Sequence, residues 1–233
     1  MKSAHVVVER NTNIVVMENN LASYFDHTIL KFDTSKEDVE LICKEAIKCS
    51  FKAVCIPPHW VQLAVQLLSK SEVKVATVVG FPMGYQKTLV KSLETKIALQ
   101  EGCDEIDMVV NIAALKSQDF ETVEQDILAL NEICHDQSKV LKVIIESSEL
   151  TDEEIILLCK ICNHINVDFV KTSTGYNGGG AQLEDVILMR SQLKPKISLK
   201  ASGGIKTKAQ MIAMIDAGAN RIGASASVKI MEE

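Results

Sequence analysis

Two lysines set in otherwise apolar strand patterns are the side chains in this sequence best suited to chemistry: Lys171 in Phe169-Val-Lys and Lys200 in Ser198-Leu-Lys. Successive strand side chains point to opposite faces, so Phe169 and Lys171 share one face while Val170 takes the other. Ser198 and Lys200 lie in the same way opposite Ile197 and Leu199. Parity also sets Asp107 against Ile106, Met108 and Val110, and sets Lys142, Ile144 and Glu146 against Val143 and Ile145. A buried ammonium group is costly unless it is paired or neutral. Two readings meet that demand. In one, the lysines belong to a structural ion-pair network with Asp107 and Glu146. In the other, the charge of one lysine keeps its neighbour neutral, as an amine nucleophile. Two ammonium groups ~6 Å apart at an effective dielectric of ~20 repel by roughly 3 kcal/mol, or about two pKa units, which brings an amine from ~10.4 to ~8. Desolvation lowers it further and leaves a neutral fraction at physiological pH, the form that adds to a carbonyl to give a carbinolamine. The residues alone leave both readings open.

Residues so placed need strands that bring them to one interior. From about residue 21 onward short apolar runs alternate with helical patterns, as in repeated βα units with a parallel sheet. The strands are expected at Phe25–Leu30, Ala53–Ile56, Val73–Gly80, Glu105–Asn111, Val140–Glu146, Phe169–Ser173, Ile197–Lys200 and Arg221–Gly223. Eight such units point to a single-domain α/β fold closed as a (β/α)8 TIM barrel over residues 21–233, with residues 1–20 as an N-terminal extension. An open doubly wound sheet is the rival, but no G-x-G-x-x-G follows the first strand. Thr34 to Glu37 and Thr151 to Glu154 carry capping-box spacing, and Gly102 and Gly218 are placed to end helices. Pro57-Pro58 mark the start of the second helix.

The composition narrows the partners. A net charge of −6 gives no long-range attraction to nucleic acid or to an anionic membrane, so a bound phosphate needs a local grip. Seven scattered cysteines suit reduced thiols in the cytoplasm. The apolar stretches near the N-terminus, Val6 to Val8 and Ile14 to Met17, are too short for a signal peptide, and no run reaches membrane-spanning length. Cys159, Cys162 and His164 have the spacing of metal ligands without a second pair to complete a set, and no metal is expected. In barrels, backbone N–H groups in the loops after the seventh and eighth strands often hold phosphate where glycine permits close approach. Gly203-Gly204 and Gly223-Ala-Ser225 fit that description, with Thr174-Gly175 closing the site from the sixth loop.

Four stretches in order, Glu105-Ile-Asp-Met-Val-Val-Asn111, Lys142-Val-Ile-Ile-Glu146, Phe169-Val-Lys-Thr-Ser-Thr-Gly175 and Ser198-Leu-Lys-Ala-Ser-Gly-Gly-Ile205, resemble the deoxyribose-phosphate aldolase family. Asp26-His-Thr28 and Ala53-Val-Cys-Ile56 are similar to its first two strands, so the resemblance covers nearly everything from about residue 21. It implies reversible cleavage of 2-deoxy-D-ribose 5-phosphate to acetaldehyde and D-glyceraldehyde 3-phosphate through a lysine Schiff base, with no cofactor. The family's Schiff-base lysine falls on Lys171, its second active-site lysine on Lys200 and its proton-shuttling aspartate on Asp107. Lys142 would help hold Asp107 ionised, and Asp26, Thr28 and Cys55 resemble the wall of the substrate pocket. The partner implied is a small phosphorylated sugar, and family members are often dimers or larger, so a homo-oligomer is expected.

The sequence departs from the family pattern at the phosphate end. Gly223-Ala-Ser-Ala-Ser227 stands where a Ser-Ser or Ser-Gly pair often occurs, and Tyr176-Asn-Gly-Gly-Gly180 lacks a basic residue. The sequence runs ten residues past Gly223, and no tail over the pocket is expected. Two other readings share these residues: a Schiff-base lyase for another aldehyde pair, separable by its products, and a sugar-phosphate binder without turnover.

Overall fold

The computed structural model describes residues 21–233, and the expected N-terminal extension lies outside the described residues. Eight parallel strands pair in sequence order and close on themselves. They are β1 (Phe25–Thr28), β2 (Ala53–Ile56), β3 (Lys74–Val79), β4 (Glu105–Val109), β5 (Val140–Ile144), β6 (Phe169–Lys171), β7 (Ser198–Ser202) and β8 (Arg221–Ala224). All eight lie where the alternation of patterns places them. Most are shorter than the apolar runs that announce them, because a run continues into the loop at the barrel rim. The seventh instead extends two residues past Lys200.

The helices begin and end for local reasons. Thr151 caps the helix Asp152–Ile165 in a reciprocal box with Glu154, as its spacing predicts. The box expected at Thr34 falls one residue later, where Ser35 and Asp38 cap the helix Lys36–Cys49. A third box, Thr207 with Gln210, starts the helix Lys208–Asp216. Gly102 and Gly218 follow their helices at φ of +99° and +109°, a left-handed turn that a side chain would strain.

Most of the core fills the space between strands and helices. Ile106, Met108, Val143, Val170 and Leu199 point outward into that layer and are fully buried. Such burial contributes about 2 kcal/mol for each side chain of this size before entropy is counted. The barrel interior is different. A small apolar cluster there, among the described residues, joins Cys55, Ala76 and Val78, with Leu30 and Phe81 packed on it. Where barrels of this kind usually stack layers of branched aliphatics, this one holds charged side chains.

Candidate active site

Register sets which charges meet. Asp107 on β4 lies opposite Lys142 on β5, Ile144 opposite Lys171 on β6, and Lys171 opposite Lys200 on β7. Lys200 lies in turn opposite Arg221 on β8. The strand parity read from the sequence therefore does bring Asp107, Lys142, Lys171 and Lys200 into one interior. Asp107 is its centre. One carboxylate oxygen accepts from Lys142 at 2.6 Å, and the other accepts from both Lys171 and Lys200 at 2.8 Å. The ammonium nitrogens of Lys171 and Lys200 are thus at most twice 2.8 Å apart.

Three further charged groups complete the cluster. Asp26 accepts from Lys200 and Arg221. Glu105 accepts from Lys142 at 2.6 Å and from Arg221 at 3.2 Å. Arg221 also lies over the Phe169 ring, 5.3 Å from its centroid. Among the described residues the interior so holds three acids (Asp26, Glu105, Asp107) and four bases (Lys142, Lys171, Lys200, Arg221). A net positive charge away from water is unfavourable, and losing one proton from one lysine balances the cluster.

Which lysine gives up a proton more readily is set by its surroundings. Burial pulls the Lys171 amine below its ordinary range; Asp107, its one carboxylate partner among the described residues, opposes that pull and the Lys200 charge reinforces it. Lys200 is buried as deeply, but Asp107 and Asp26 together overcome the effect of burial and hold its pKa above the ordinary lysine value. Lys142 is likewise raised, against burial, by Asp107, Glu105 and Asp26. Asp107 is held well below the usual carboxylate range: burial alone would raise it, and Lys142, Lys171 and Lys200 outweigh that. Two adjacent lysines on one carboxylate are therefore driven in opposite directions.

Glu146 does not join this network, contrary to the parity expectation. The strand ends at Ile144, and Glu146 takes a left-handed conformation at φ of +53°, which turns its carboxylate away from the barrel axis. There it accepts from the Thr174 backbone N–H at 3.2 Å, from the Thr174 hydroxyl and from Asn177 at 3.1 Å. These bonds tie it to the loop after β6.

Above the charges a cleft of about 310 Å³ opens at the C-terminal rim, walled by the loops after β6, β7, β8 and β1. Thr28, Thr174, Gly175, Gly203, Gly204, Gly223 and Ser225, singled out in the sequence, all line it. Lys171 reaches its floor, whereas Asp26, Cys55, Asp107, Lys142 and Lys200 have no exposed surface. Asp26, Cys55 and Lys142 therefore stand behind the cleft wall and not on it, and would act on a ligand only through the groups they touch. Gly203 needs to be glycine, because it has a φ of +85° and a Cβ there would stand 2.9 Å from the Gly180 Cα and 3.3 Å from the Gly175 Cα.

Several members of the site escape the sequence reading. Glu105 shares the parity of Asp107, and Arg221 that of Gly223, so their strands carry the signal. Lys206 lines the cleft just after the glycine pair, and Lys31 lines it from the β1 loop, where no periodic pattern marks it. His164 is exposed on a helix whose Cys159 and Cys162 are buried, so these three do not converge.

Known proteins share this architecture. The model of the DeoC/LacD family aldolases matches residues 20–230. The deoxyribose-phosphate aldolase 1 of Bacillus licheniformis is 50% identical over 216 residues, which cover 93% of this chain and 96% of that protein. The deoxyribose-phosphate aldolase of Lactococcus lactis subsp. lactis is 53% identical over 209 residues, 90% of this chain and 94% of the relative. Among solved structures, the tetrameric deoxyribose phosphate aldolase from Aeropyrum pernix superposes with a TM-score of 0.88 at 30% identity, covering 99% of this chain and 97% of that one. By matched length, by identity and by a shared barrel, this chain belongs to the DeoC/LacD family of aldolases.

Proposed function

We propose that this chain is a 2-deoxy-D-ribose 5-phosphate aldolase, a lyase that works through an imine on Lys171. The observation that carries this reading is the division between the two lysines. The one on the cleft floor is pushed toward the neutral amine, and the one behind it is held charged. A structural network has no use for that difference, whereas a nucleophile requires it.

In the cleavage direction the neutral amine of Lys171 adds to the C1 carbonyl of the open-chain sugar, and the carbinolamine loses water to give a protonated imine. As the C3 hydroxyl gives up its proton, the C2–C3 bond breaks and its electron pair moves into the imine. Glyceraldehyde 3-phosphate leaves, and Lys171 holds an enamine. Protonation of the enamine carbon and addition of water release acetaldehyde and restore the amine. Asp107 receives and returns these protons, through a water where the distance to substrate demands one, and its low pKa keeps it the base in the resting site. Lys200 lowers the amine's pKa, and Lys142 and Asp26 fix Asp107 and Lys200 in place.

The phosphate would lie at the other end of the cleft, against the backbone of Gly203, Gly204, Gly223 and Ser225, with Lys206 and Lys31 supplying the positive charge that the β6 loop lacks. Gly175 and Thr174 close that end from the sixth loop. We assign the chain to the cytoplasm, where its seven free thiols stay reduced; burial pushes those of Cys43, Cys103, Cys134 and Cys159 up to about 12. Among the described residues no helix is long and apolar enough to cross a membrane. A homo-oligomer is the assembly we expect, to be read by light scattering after gel filtration.

Borohydride reduction with deoxyribose 5-phosphate, followed by peptide mapping, tests the assignment. A substrate-dependent adduct on Lys171, lost in Lys171→Leu together with turnover, is the expected result. An adduct elsewhere, or a Lys171→Leu variant that still cleaves, would refute it.

A further inference from the structure

The loop after β6 carries a side chain that neither the charged cluster nor the phosphate subsite uses. Tyr176 is fixed at its base, where its N–H donates to Thr174 Oγ1 at 3.1 Å and the Thr174 hydroxyl donates to Glu146. From there it crosses the mouth of the barrel. Its hydroxyl donates to the Leu30 carbonyl oxygen at 2.5 Å, and its ring meets Phe81 edge-on, with centroids 5.4 Å apart and planes at 87°. The substrate cleft lies on one side of this bridge. On the other side, between the loops after β1, β2 and β3, is a second cleft of about 420 Å³ whose walls include Pro57, Pro58, Trp60 and Phe81. Leu30 and Lys31 line both clefts, so Tyr176, bonded to Leu30 and packed on Phe81, stands at their common wall.

We propose that Tyr176 is a specificity-determining residue, a partition that confines the aldehyde acceptor to the phosphate side and keeps acceptors with long alkyl or aryl tails out of the second cleft. The inference rests on the aldolase reading above. In the synthetic direction the enamine carbon on Lys171 bonds to the acceptor carbonyl carbon, and the carbonyl oxygen takes a proton. Water then releases the 3-hydroxyaldehyde and the free amine. The same atoms react whatever tail the acceptor carries, so the choice of acceptor depends on where the tail can go. A phosphorylated tail has the glycine loops and Lys206. An apolar tail gains nothing from the N–H groups of those loops or that charge, and the second cleft, which also holds Lys31, His59 and Glu94, adds proline, tryptophan and phenylalanine walls that it can reach once the partition is gone. The tyrosine is half exposed, so its removal leaves no sealed cavity in the core.

The test compares Tyr176→Ala, Tyr176→Val and Tyr176→Phe with the unaltered chain in two reactions: cleavage of deoxyribose 5-phosphate, and addition of acetaldehyde to hexanal. Tyr176→Ala is expected to raise kcat/KM for hexanal relative to that for the sugar phosphate by about tenfold or more, the scale on which pocket volume discriminates apolar groups. Tyr176→Val should fall between, and guards against an alanine variant that does not fold. Tyr176→Phe, which keeps the ring against Phe81, should keep the original preference. An unmoved preference in a folded Ala or Val variant would overturn the partition, as would an equal shift in Tyr176→Phe, which would trace the effect to the bond with Leu30. Failure of the unaltered chain to form a substrate-dependent imine on Lys171 would instead overturn the aldolase reading, and the partition with it.

Discussion

Replacing Lys200 by methionine removes a cation while nearly preserving volume, and its effect on Lys171 follows from the geometry. Both ammonium nitrogens sit 2.8 Å from one oxygen of Asp107, which places them at most twice that distance apart. At that separation and an effective dielectric of about 20 they repel by about 3 kcal/mol, or about two pKa units. In the proposed mechanism Lys171 reacts as the neutral amine, so loss of the neighbouring charge raises its pKa and shrinks the reactive fraction at any pH below the new value. Asp107, left with one fewer ammonium, pulls the same way. At neutral pH kcat/KM for deoxyribose 5-phosphate should fall by about a hundredfold, and much of the loss should return as the pH rises, with the acid limb displaced upward by about two units. The assay is cleavage followed across about pH 6 to about pH 10, with glyceraldehyde 3-phosphate consumed by a coupling reductase kept in excess. A thermal melt on the same samples guards against unfolding, because Asp26 also loses a partner. A loss of the same size at every pH, with the acid limb unmoved, would refute the reasoning and leave Lys200 a structural or substrate-contacting cation.

Other outcomes follow from the same contacts. Asp107→Asn keeps the shape but removes the proton acceptor, and should lower kcat by about a hundredfold while changing KM much less; a change mainly in KM would place Asp107 in binding instead. Gly203→Ala forces a side chain into a left-handed turn against Gly180 and Gly175, and should raise KM for the phosphorylated sugar more than it lowers the rate of imine formation with acetaldehyde. Equal effects on the two would detach that loop from phosphate binding. Acid should weaken the fold through Asp26, whose carboxyl is held below its ordinary value: burial opposes this, and Lys200, Lys142 and Arg221 prevail. A depressed pKa means that the unfolded chain takes up the proton first, so this contribution is complete above about pH 4 and lost as the pH falls further toward the folded-state value. Asp26→Asn should therefore cost about 3 kcal/mol near neutrality, the scale for breaking a buried ion pair, and distinctly less near pH 3 by urea denaturation; a gap that does not narrow would contradict the assignment.

The sequence by itself determined the number and order of the βα units, because a period of two and a period of three to four leave different apolar patterns whatever surrounds them. It also determined the faces of Lys171, Lys200, Lys142 and Asp107, since strand parity is a local property. Sequence could not say which of two neighbouring lysines gives up its proton more readily. That depends on counting countercharges, and Asp26, Glu105 and Arg221 join the count only when the barrel closes and brings β8 beside β1. Glu146 shows the limit of parity: one residue in a left-handed turn, just past the last pair of the ladder, sends its carboxylate to Thr174 and not to the lysines. Tyr176 shows the limit from the other side, for its partners Leu30 and Phe81 lie on distant loops. Groups whose role depends on their own strand could be read from the chain, and groups whose role depends on a neighbour across the barrel mouth could not, because their energies arise from contacts that exist only after closure.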